Sequence, residues 1–201
     1  MFSGQIKTQT STQSLVYDAP AMPRQRLSRK LPRKPLPQRD RNISLTPSLA
    51  ERLRQEVDSD LVRTHDLSMQ VKTLPNISQA ERAPDLMVLT PELAESLKGS
   101  ARLITLEMPN PLLVVEVVSP YSNPCDDNYR RDYIEKRQQY EQRSVPEYWI
   151  VDPTAAQITV LVQVPHDGYR GRLFRGQQRI ESSGFPTLSL TVDGLFALGA
   201  K

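Results

Sequence analysis

The sequence is poor in the features that mark secreted, membrane and redox proteins. It has one cysteine, Cys125, in 201 residues, which excludes an internal disulfide framework. No apolar run approaches the roughly 18 residues of a membrane span, and the opening segment MFSGQIKTQT has no apolar core typical of a signal peptide. These absences predict a cytoplasmic protein.

Several catalytic and metal-binding motifs are also missing. The chain has no phosphate-binding glycine loop, no G-x-S-x-G and no CxxC, so nucleotide triphosphate, serine hydrolase and zinc chemistry are unsupported. His65 and His166 lack metal-ligand spacing and are expected at surface or loop positions. Cys125 has no basic neighbour in sequence that would activate its thiol.

Positive charge is concentrated near the start of the chain. Residues 1–43 hold nine basic and two acidic residues, whereas the remainder holds 17 basic and 21 acidic ones. This segment mixes cations with prolines and has little to bury, so it predicts a disordered or polyproline-like tail before a folded domain at 44–201. A basic tail could bind a phosphate backbone by counterion release; a solvated leader is the alternative.

Beyond the tail, helical and extended patterns alternate. Thr46 as N-cap and Pro47 in the first turn predict an amphipathic helix that begins there. DLSMQVKTLP and PDLMVLT predict strands, PELAESLKG a surface helix, and PEYWIVD with QITVLVQV a hairpin. The segment 128–143 has no proline or glycine and predicts the longest helix. With a further hairpin and a terminal turn or helix, the order predicts a mixed α/β fold with one main sheet.

The segment PLLVVEVVSP predicts a central strand covered on both faces, yet it contains Glu116. Side chains alternate along a strand, so Glu116 shares its face with aliphatic residues such as Val114 and Val118. An unpaired buried carboxylate costs several kcal/mol. Glu116 is therefore expected to have a cation, a metal ion or strong hydrogen-bond donors beside it.

The helix after this strand offers the cation. At about 100° per residue, Lys136 falls in the centre of a stripe formed by Tyr129, Tyr133 and Tyr140, which is the face expected to pack on the sheet. Glu116 and Lys136 could therefore meet. The solvent side of this helix is assigned to Arg130, Arg131, Glu135, Gln138 and Gln139.

Three other interpretations of Lys136 stay open at this stage. The pair could be a structural ion pair in an unrelated α/β protein. The lysine stem could also lie along the surface with its amine in water. Asp132, four residues before Lys136, is most simply its helix ion-pair partner, worth a few tenths of a kcal/mol if the pair is exposed, although it could also orient the lysine.

Asp85 favours a catalytic interpretation. It begins the apolar strand after Pro84, so its carboxylate lies at a strand end. Two carboxylates and a lysine that converge on one sheet are the groups needed for metal-assisted phosphodiester hydrolysis, with Mg²⁺ or Mn²⁺ held by Asp85 and Glu116. The backbone carbonyl of Val117 could complete the oxygen ligands of the metal.

The motifs themselves resemble a known family. The segments APDLMVL, PLLVVEVVSP and RRDYIEKRQQYEQRSVPEYWIVDP, the first two separated by 21 residues, are similar to the Uma-two (Uma2) family of restriction endonuclease-like proteins, within the PD-(D/E)XK nuclease superfamily. The likeness covers residues 83–153 and continues more weakly to about 197. It implies a restriction-endonuclease-like core with a central mixed sheet flanked by helices, and divalent-metal-dependent cleavage of DNA.

The resemblance also assigns residues by position. It makes Asp85 and Glu116 the two motif carboxylates. Superfamily members commonly have a lysine two residues after the second carboxylate, where this sequence has Val118; in this family the lysine is thought to have moved to the following helix, which corresponds to Lys136. A homodimer is one arrangement for cutting both strands.

The resemblance has one departure. Family members usually have a longer folded region before the first motif, with an acidic residue on an initial helix. Here only about forty foldable residues precede Asp85, and Glu51 or Glu56 would have to supply that residue. A shortened, inactive nuclease-fold protein that binds nucleic acid or a protein partner is therefore the alternative function.

Overall fold

The computed structural model describes residues 38–98 and 102–199, with side chains from Leu45 onward. The helices are α1 (Gln38–Leu53), α2 (Pro91–Ser96), α3 (Asp127–Tyr129), α4 (Lys136–Gln142) and α5 (Val192–Leu198). A π-helical stretch, Arg130–Glu135, joins α3 to α4. The strands are β1 (Val62–Thr64), β2 (Ser68–Gln70), β3 (Glu81–Arg82), β4 (Leu86–Val88), β5 (Leu103–Ile104), β6 (Leu113–Val117), β7 (Glu147–Asp152), β8 (Gln157–Val164) and β9 (Gly168–Arg175).

The strands form one large and one small sheet. The large sheet has six strands in the order β1-β4-β6-β7-β8-β9, and the small one has the order β3-β2-β5. Within the large sheet only β6 and β7 run parallel. Their connection is the crossover helix, by which we mean α3, the π-helical stretch and α4 together (residues 127–142). The predicted mixed α/β fold with one main sheet is confirmed.

The large sheet buries a hydrophobic cluster on each face. One cluster joins Leu86, Val115 and Trp149 to buried residues of α1 and α5. The other joins Met87, Val114 and Tyr148 to Tyr140 of the crossover helix and to the small sheet. All five residues of β6 are buried, as predicted for a central strand covered on both sides, and the β7–β8 hairpin is also present as predicted.

The predicted start of α1 is wrong. Thr46 and Pro47 lie inside a helix that begins at Gln38. Leu45, Leu49 and Leu53 are all buried, and their spacing of four continues the apolar stripe past the proposed cap. Packing of this stripe against the sheet therefore carries the helix through Pro47. Apart from the residues that open α1, the predicted tail 1–43 lies outside the described residues, as does Gly99, the predicted end of α2.

Gln139 was assigned to the solvent side of the crossover helix, and this is also wrong. Its side chain is fully buried. The amide oxygen accepts a hydrogen bond from Arg82 Nε at 2.8 Å, and the amide nitrogen donates to the backbone oxygens of Lys72 and Gln79. The small sheet, which the sequence does not predict as a separate layer, covers this side of the helix. None of the described helices is long and apolar enough to cross a lipid bilayer.

Arg143, at the end of α4, fixes the small sheet to the crossover helix. It is 8% exposed. Its guanidinium donates to the backbone oxygens of Gln70 and Thr105 at 2.6 and 2.8 Å and to Asn110 Oδ1 at 2.9 Å. This planar fork of donors matches three acceptors at once, which a lysine ammonium cannot do in the same geometry.

We therefore expect Arg143→Lys to lower the free energy of unfolding by about 1–3 kcal/mol, because buried carbonyls lose their donors. Urea denaturation measures this change. The matched control is Arg170→Lys, since the Arg170 side chain is 71% exposed and surface changes usually stay within about 0.5 kcal/mol. Equal losses in the two variants would contradict the assigned role of Arg143.

Candidate active site

Glu116 is the centre of a buried polar network on the large sheet. It is 1% exposed and points to the face that carries Val114 and Val118. Its Oε2 lies 2.8 Å from Lys136 Nζ, and its Oε1 accepts a hydrogen bond of 2.6 Å from the Tyr140 hydroxyl. The predicted meeting of Glu116 and Lys136 thus occurs, and Lys136, whose side chain is 14% exposed, does not extend its amine along the surface.

Asp85 reaches the same face through strand register. β4 and β6 are antiparallel with Leu86 opposite Val115, so the next pair along is Asp85 opposite Glu116, and opposed residues share a face. Asp85 Oδ2 accepts a hydrogen bond of 2.7 Å from the backbone N–H of Val117. At the start of β4, the Asp85 side chain therefore takes the place of a backbone carbonyl as the acceptor for the Val117 N–H.

Electrostatics couples the three charged groups. Burial raises the pKa of Glu116, the charge of Lys136 opposes this, and the negative charge of Asp85 adds to the rise. Burial would lower the pKa of Lys136, but Glu116 and Asp132 outweigh it and keep the pKa above its usual value. Tyr140 is fully buried beside Glu116, and its pKa is raised well above 10, so it acts as a hydrogen-bond donor.

Asp132 is part of the network and pairs with Lys136, as its position four residues earlier on the helix predicts. It is fully buried, and its Oδ1 lies 2.9 Å from Lys136 Nζ. Arg131 and the backbone N–H of Ser119 also donate to it. Burial by itself would raise the pKa of Asp132, but the hydrogen bonds from Arg131 and the charge of Lys136 lower it below the usual value.

Two further residues, His65 and Asp152, make contacts that the sequence does not predict. His65, expected at a surface or loop position, is exposed in a left-handed turn, and its Nδ1 lies 3.6 Å from Asp85 Oδ1. Asp152 is fully buried and accepts hydrogen bonds from the hydroxyls of Tyr121 and Tyr133. The tyrosine stripe is the one sequence signal for this further buried carboxylate, because the stripe includes Tyr133.

The suggested extra acidic residues stay apart from this network. Glu51 is exposed on α1, and Glu56 accepts a hydrogen bond from Thr187. Both precede β1, whereas the network is built from β4, β6 and the crossover helix. The described contacts therefore give neither glutamate a role beside Glu116.

The donor atoms suit a hard divalent cation. Asp85 and Glu116 supply carboxylate oxygens, and each carboxylate oxygen has a second lone pair besides the one already engaged. Val117 points its N–H, and therefore its C=O, toward the Asp85 side of β6. Among residues 38–98 and 102–199 no group of three or more His, Cys, Asp or Glu side chains could hold a metal. Mg²⁺ commonly uses one or two carboxylates and several waters, so the set fits Mg²⁺ or Mn²⁺ if water completes it.

The pKa shifts give a test of the network in the metal-free protein. Lys136→Met removes the cation that lowers the pKa of Glu116, so the folded-state pKa rises further above the unfolded value. When a carboxyl group has a higher pKa in the folded than in the unfolded protein, the protein loses stability as the pH rises through the folded-state pKa. We expect Lys136→Met to cost about 3–5 kcal/mol near neutral pH and clearly less near pH 5, measured by urea denaturation in EDTA.

Glu116→Gln added to Lys136→Met provides the control for this prediction. Glutamine carries no charge, so the double variant should recover part of the stability that Lys136→Met loses and should show a flatter pH dependence. A loss in Lys136→Met that is independent of pH and unchanged by Glu116→Gln would contradict the coupling of the two groups.

Comparison with known proteins agrees with this architecture. Residues 31–193 match the model of the Uma2 family, described as "Putative restriction endonuclease". A crystal structure described as a "putative nuclease belonging to DUF820", from Anabaena variabilis ATCC 29413, superposes with a TM-score of 0.58 at 15% identity, covering 85% of this chain and 87% of that one. No curated protein matches.

These matches bear on two inferences from the sequence, the resemblance to the Uma2 family and the short folded region before Asp85. The family match begins before α1 and ends within α5, so it is wider than the 83–153 segment that carries the motifs. The coverage of 87% of the neighbour's chain gives no sign that the folded part is shortened relative to that protein. The fold is shared with the DUF820 protein from Anabaena variabilis, and the chain belongs to the Uma2 family, whose description is "Putative restriction endonuclease".

Proposed function

We propose that the protein is a divalent-metal-dependent DNA endonuclease whose reacting groups are Asp85, Glu116 and Lys136. The observation that carries the proposal is the convergence of these groups on one face of the sheet: Asp85 stands opposite Glu116 in the register, and Lys136 Nζ lies 2.8 Å from Glu116 Oε2. The Uma2 family description supports the reaction class and DNA as the substrate.

Asp85, Glu116 and the Val117 carbonyl are the proposed ligands of Mg²⁺ or Mn²⁺. When bound there, such an ion would polarise a phosphate group and lower the pKa of a bound water. Asp85 is 27% exposed at its side chain and Glu116 only 2%, so substrate would approach from the Asp85 side. Glu116 then holds its position from within, fixed by Tyr140.

Lys136 takes the part of the motif lysine that is absent at Val118. Its raised pKa keeps the ammonium charged at neutral pH. A fixed positive charge beside the reacting phosphate offsets the negative charge that develops in the transition state, and it also can orient the attacking water.

Binding without catalysis is the second candidate function. Both oxygens of Glu116 already have partners, Lys136 and Tyr140, so the charge is compensated without any metal ion. A nuclease fold with this salt bridge alone could bind nucleic acid or a protein partner. The basic segment before α1 would add phosphate affinity in either case, and a homodimer would bring two such surfaces to one duplex.

Cleavage assays distinguish the two functions. With Mg²⁺ or Mn²⁺ and a panel of linear, circular and single-stranded DNA, we expect the wild type to cut and Asp85→Asn, Glu116→Gln and Lys136→Ala each to lose at least about a hundredfold in rate, comparable to the loss of other preorganised charge-stabilising groups. Asp167→Asn is the control, since that side chain is 58% exposed in a turn. Equal rates in all variants, or no cleavage by wild type, would refute the endonuclease proposal.

Metal binding separates the candidates without a substrate. Calorimetric titration with Mn²⁺ should give a binding heat in the wild type that disappears in Asp85→Asn and persists in Asp167→Asn. The binding-only alternative predicts the same small heat in all three proteins, because a Glu116–Lys136 salt bridge needs no contribution from Asp85.

A further inference from the structure

Asp132 is a buried carboxylate that the proposed chemistry does not use. We propose that Asp132 is a positioning residue that holds the Lys136 ammonium against Glu116 and ties the crossover helix to the end of β6. This inference rests on the proposed function for its catalytic consequence, but the hold on Lys136 can be tested without any activity.

Four donors converge on Asp132 from two segments of the chain. Lys136 Nζ lies 2.9 Å from Oδ1, and Arg131 donates through Nε to Oδ1 and through a terminal nitrogen to Oδ2, both at 3.0 Å. The backbone N–H of Ser119, two residues beyond β6, donates to Oδ2 at 3.0 Å. One side chain of the helix therefore fixes the loop that follows the strand carrying Glu116.

The geometry at Lys136 explains why one carboxylate is insufficient. A lysine has a flexible stem and three N–H donors, and Glu116 alone would leave the ammonium free to swing about that single contact. Asp132 accepts at a second position, 2.9 Å from Nζ, while Glu116 accepts at 2.8 Å. Two fixed N–H directions on a tetrahedral nitrogen determine the third, which is then directed by the protein before substrate arrives.

The helix is irregular where this contact forms. Residues Arg130–Glu135 are π-helical, and the N–H of Lys136 donates to the carbonyl of Arg131, five residues earlier. The carbonyl of Asp132 accepts a hydrogen bond from the buried Tyr148 hydroxyl at 3.3 Å. The wide turn thus brings Asp132 inward and gives its backbone a partner outside the helix. Single π turns of this kind are frequent at functional sites.

Charge compensation alone does not account for Asp132. If its only task were to neutralise Lys136, Glu116 would already do so at a shorter distance. Arg131 also keeps contacts with Asn128 and with the Ser119 hydroxyl, so it would not be left unpaired without Asp132. The contact that depends on the carboxylate is the link between Ser119, at the end of β6, and Lys136.

Reductive methylation measured by mass spectrometry tests the hold directly. In EDTA, Lys136 of the wild type should react at least about tenfold more slowly than Lys98, whose side chain is 74% exposed, since an ammonium held between two carboxylates is shielded from the reagent. Asp132→Asn should remove most of this protection. Asp127→Asn, at a 92% exposed position of the same helix, should leave it unchanged.

Steady-state kinetics on DNA then tests the catalytic consequence. Asp132→Asn should lower kcat by about ten- to a hundredfold, as expected for a misplaced reacting group, with KM within about threefold of the wild type. Asp132→Glu, which keeps the charge, should recover part of kcat. A change in KM alone, or no recovery by glutamate, would overturn the positioning role.

The kinetic experiment and the methylation experiment test separate claims, so one can be refuted without the other. A wild type that cuts no DNA refutes the proposed function, and methylation still decides whether Asp132 holds Lys136. A Lys136 as reactive as Lys98 in the wild type, or equally protected in Asp132→Asn, refutes the hold. If Asp132→Asn does not fold, Glu116→Gln provides the answer: Lys136 left on Asp132 alone should stay slower than Lys98, and equal rates would refute the proposal.

Discussion

The structure depends on keeping the carboxylate of Glu116 among the aliphatic side chains of a buried central strand. Glu116 lies on a strand that is buried along its whole length, where an ionised group without partners would cost several kcal/mol. Lys136 and Tyr140, which belong to one helix, offset this cost with an ion pair and a hydrogen bond. That helix therefore has to lie across this face of the sheet with both side chains turned inward. The parallel β6–β7 pair requires a crossover in any case, so topology and electrostatics place the helix at the same position.

Parts of this arrangement could be predicted because they follow from local periodicity. Alternation along PLLVVEVVSP fixes the face of Glu116, and helical spacing from Tyr129 to Tyr140 fixes the face of Lys136. Asp85 was expected at a strand end, but its position opposite Glu116 depends on the β4–β6 register. Register is set by long-range pairing, and a sequence by itself does not reveal which strands are neighbours.

The errors have a common physical origin. The sequence places Gln139 on the solvent side of its helix because polar residues on a helix usually face water. Gln139 is buried, since the small sheet covers that side of the crossover helix. Thr46 had the chemistry of a cap, but the apolar stripe that starts at Leu45 overrides it. In each case a tertiary layer without a strong local pattern decided the outcome.

The two faces of the large sheet differ in the chemistry of their buried side chains. The face toward α1 and α5 is packed with leucine, isoleucine, valine, phenylalanine and tryptophan; its one buried carboxylate among the described residues, Glu147, accepts hydrogen bonds from Trp149 Nε1 and the backbone N–H groups of Ser183 and Gly184. The opposite face holds Glu116, Lys136, Asp132 and the buried tyrosines. Stability and chemistry are thus largely separated in space. Substitutions can therefore change or remove the polar residues while the hydrophobic core on the other face still maintains the fold. Related chains of this architecture can thus differ in activity without differing in shape.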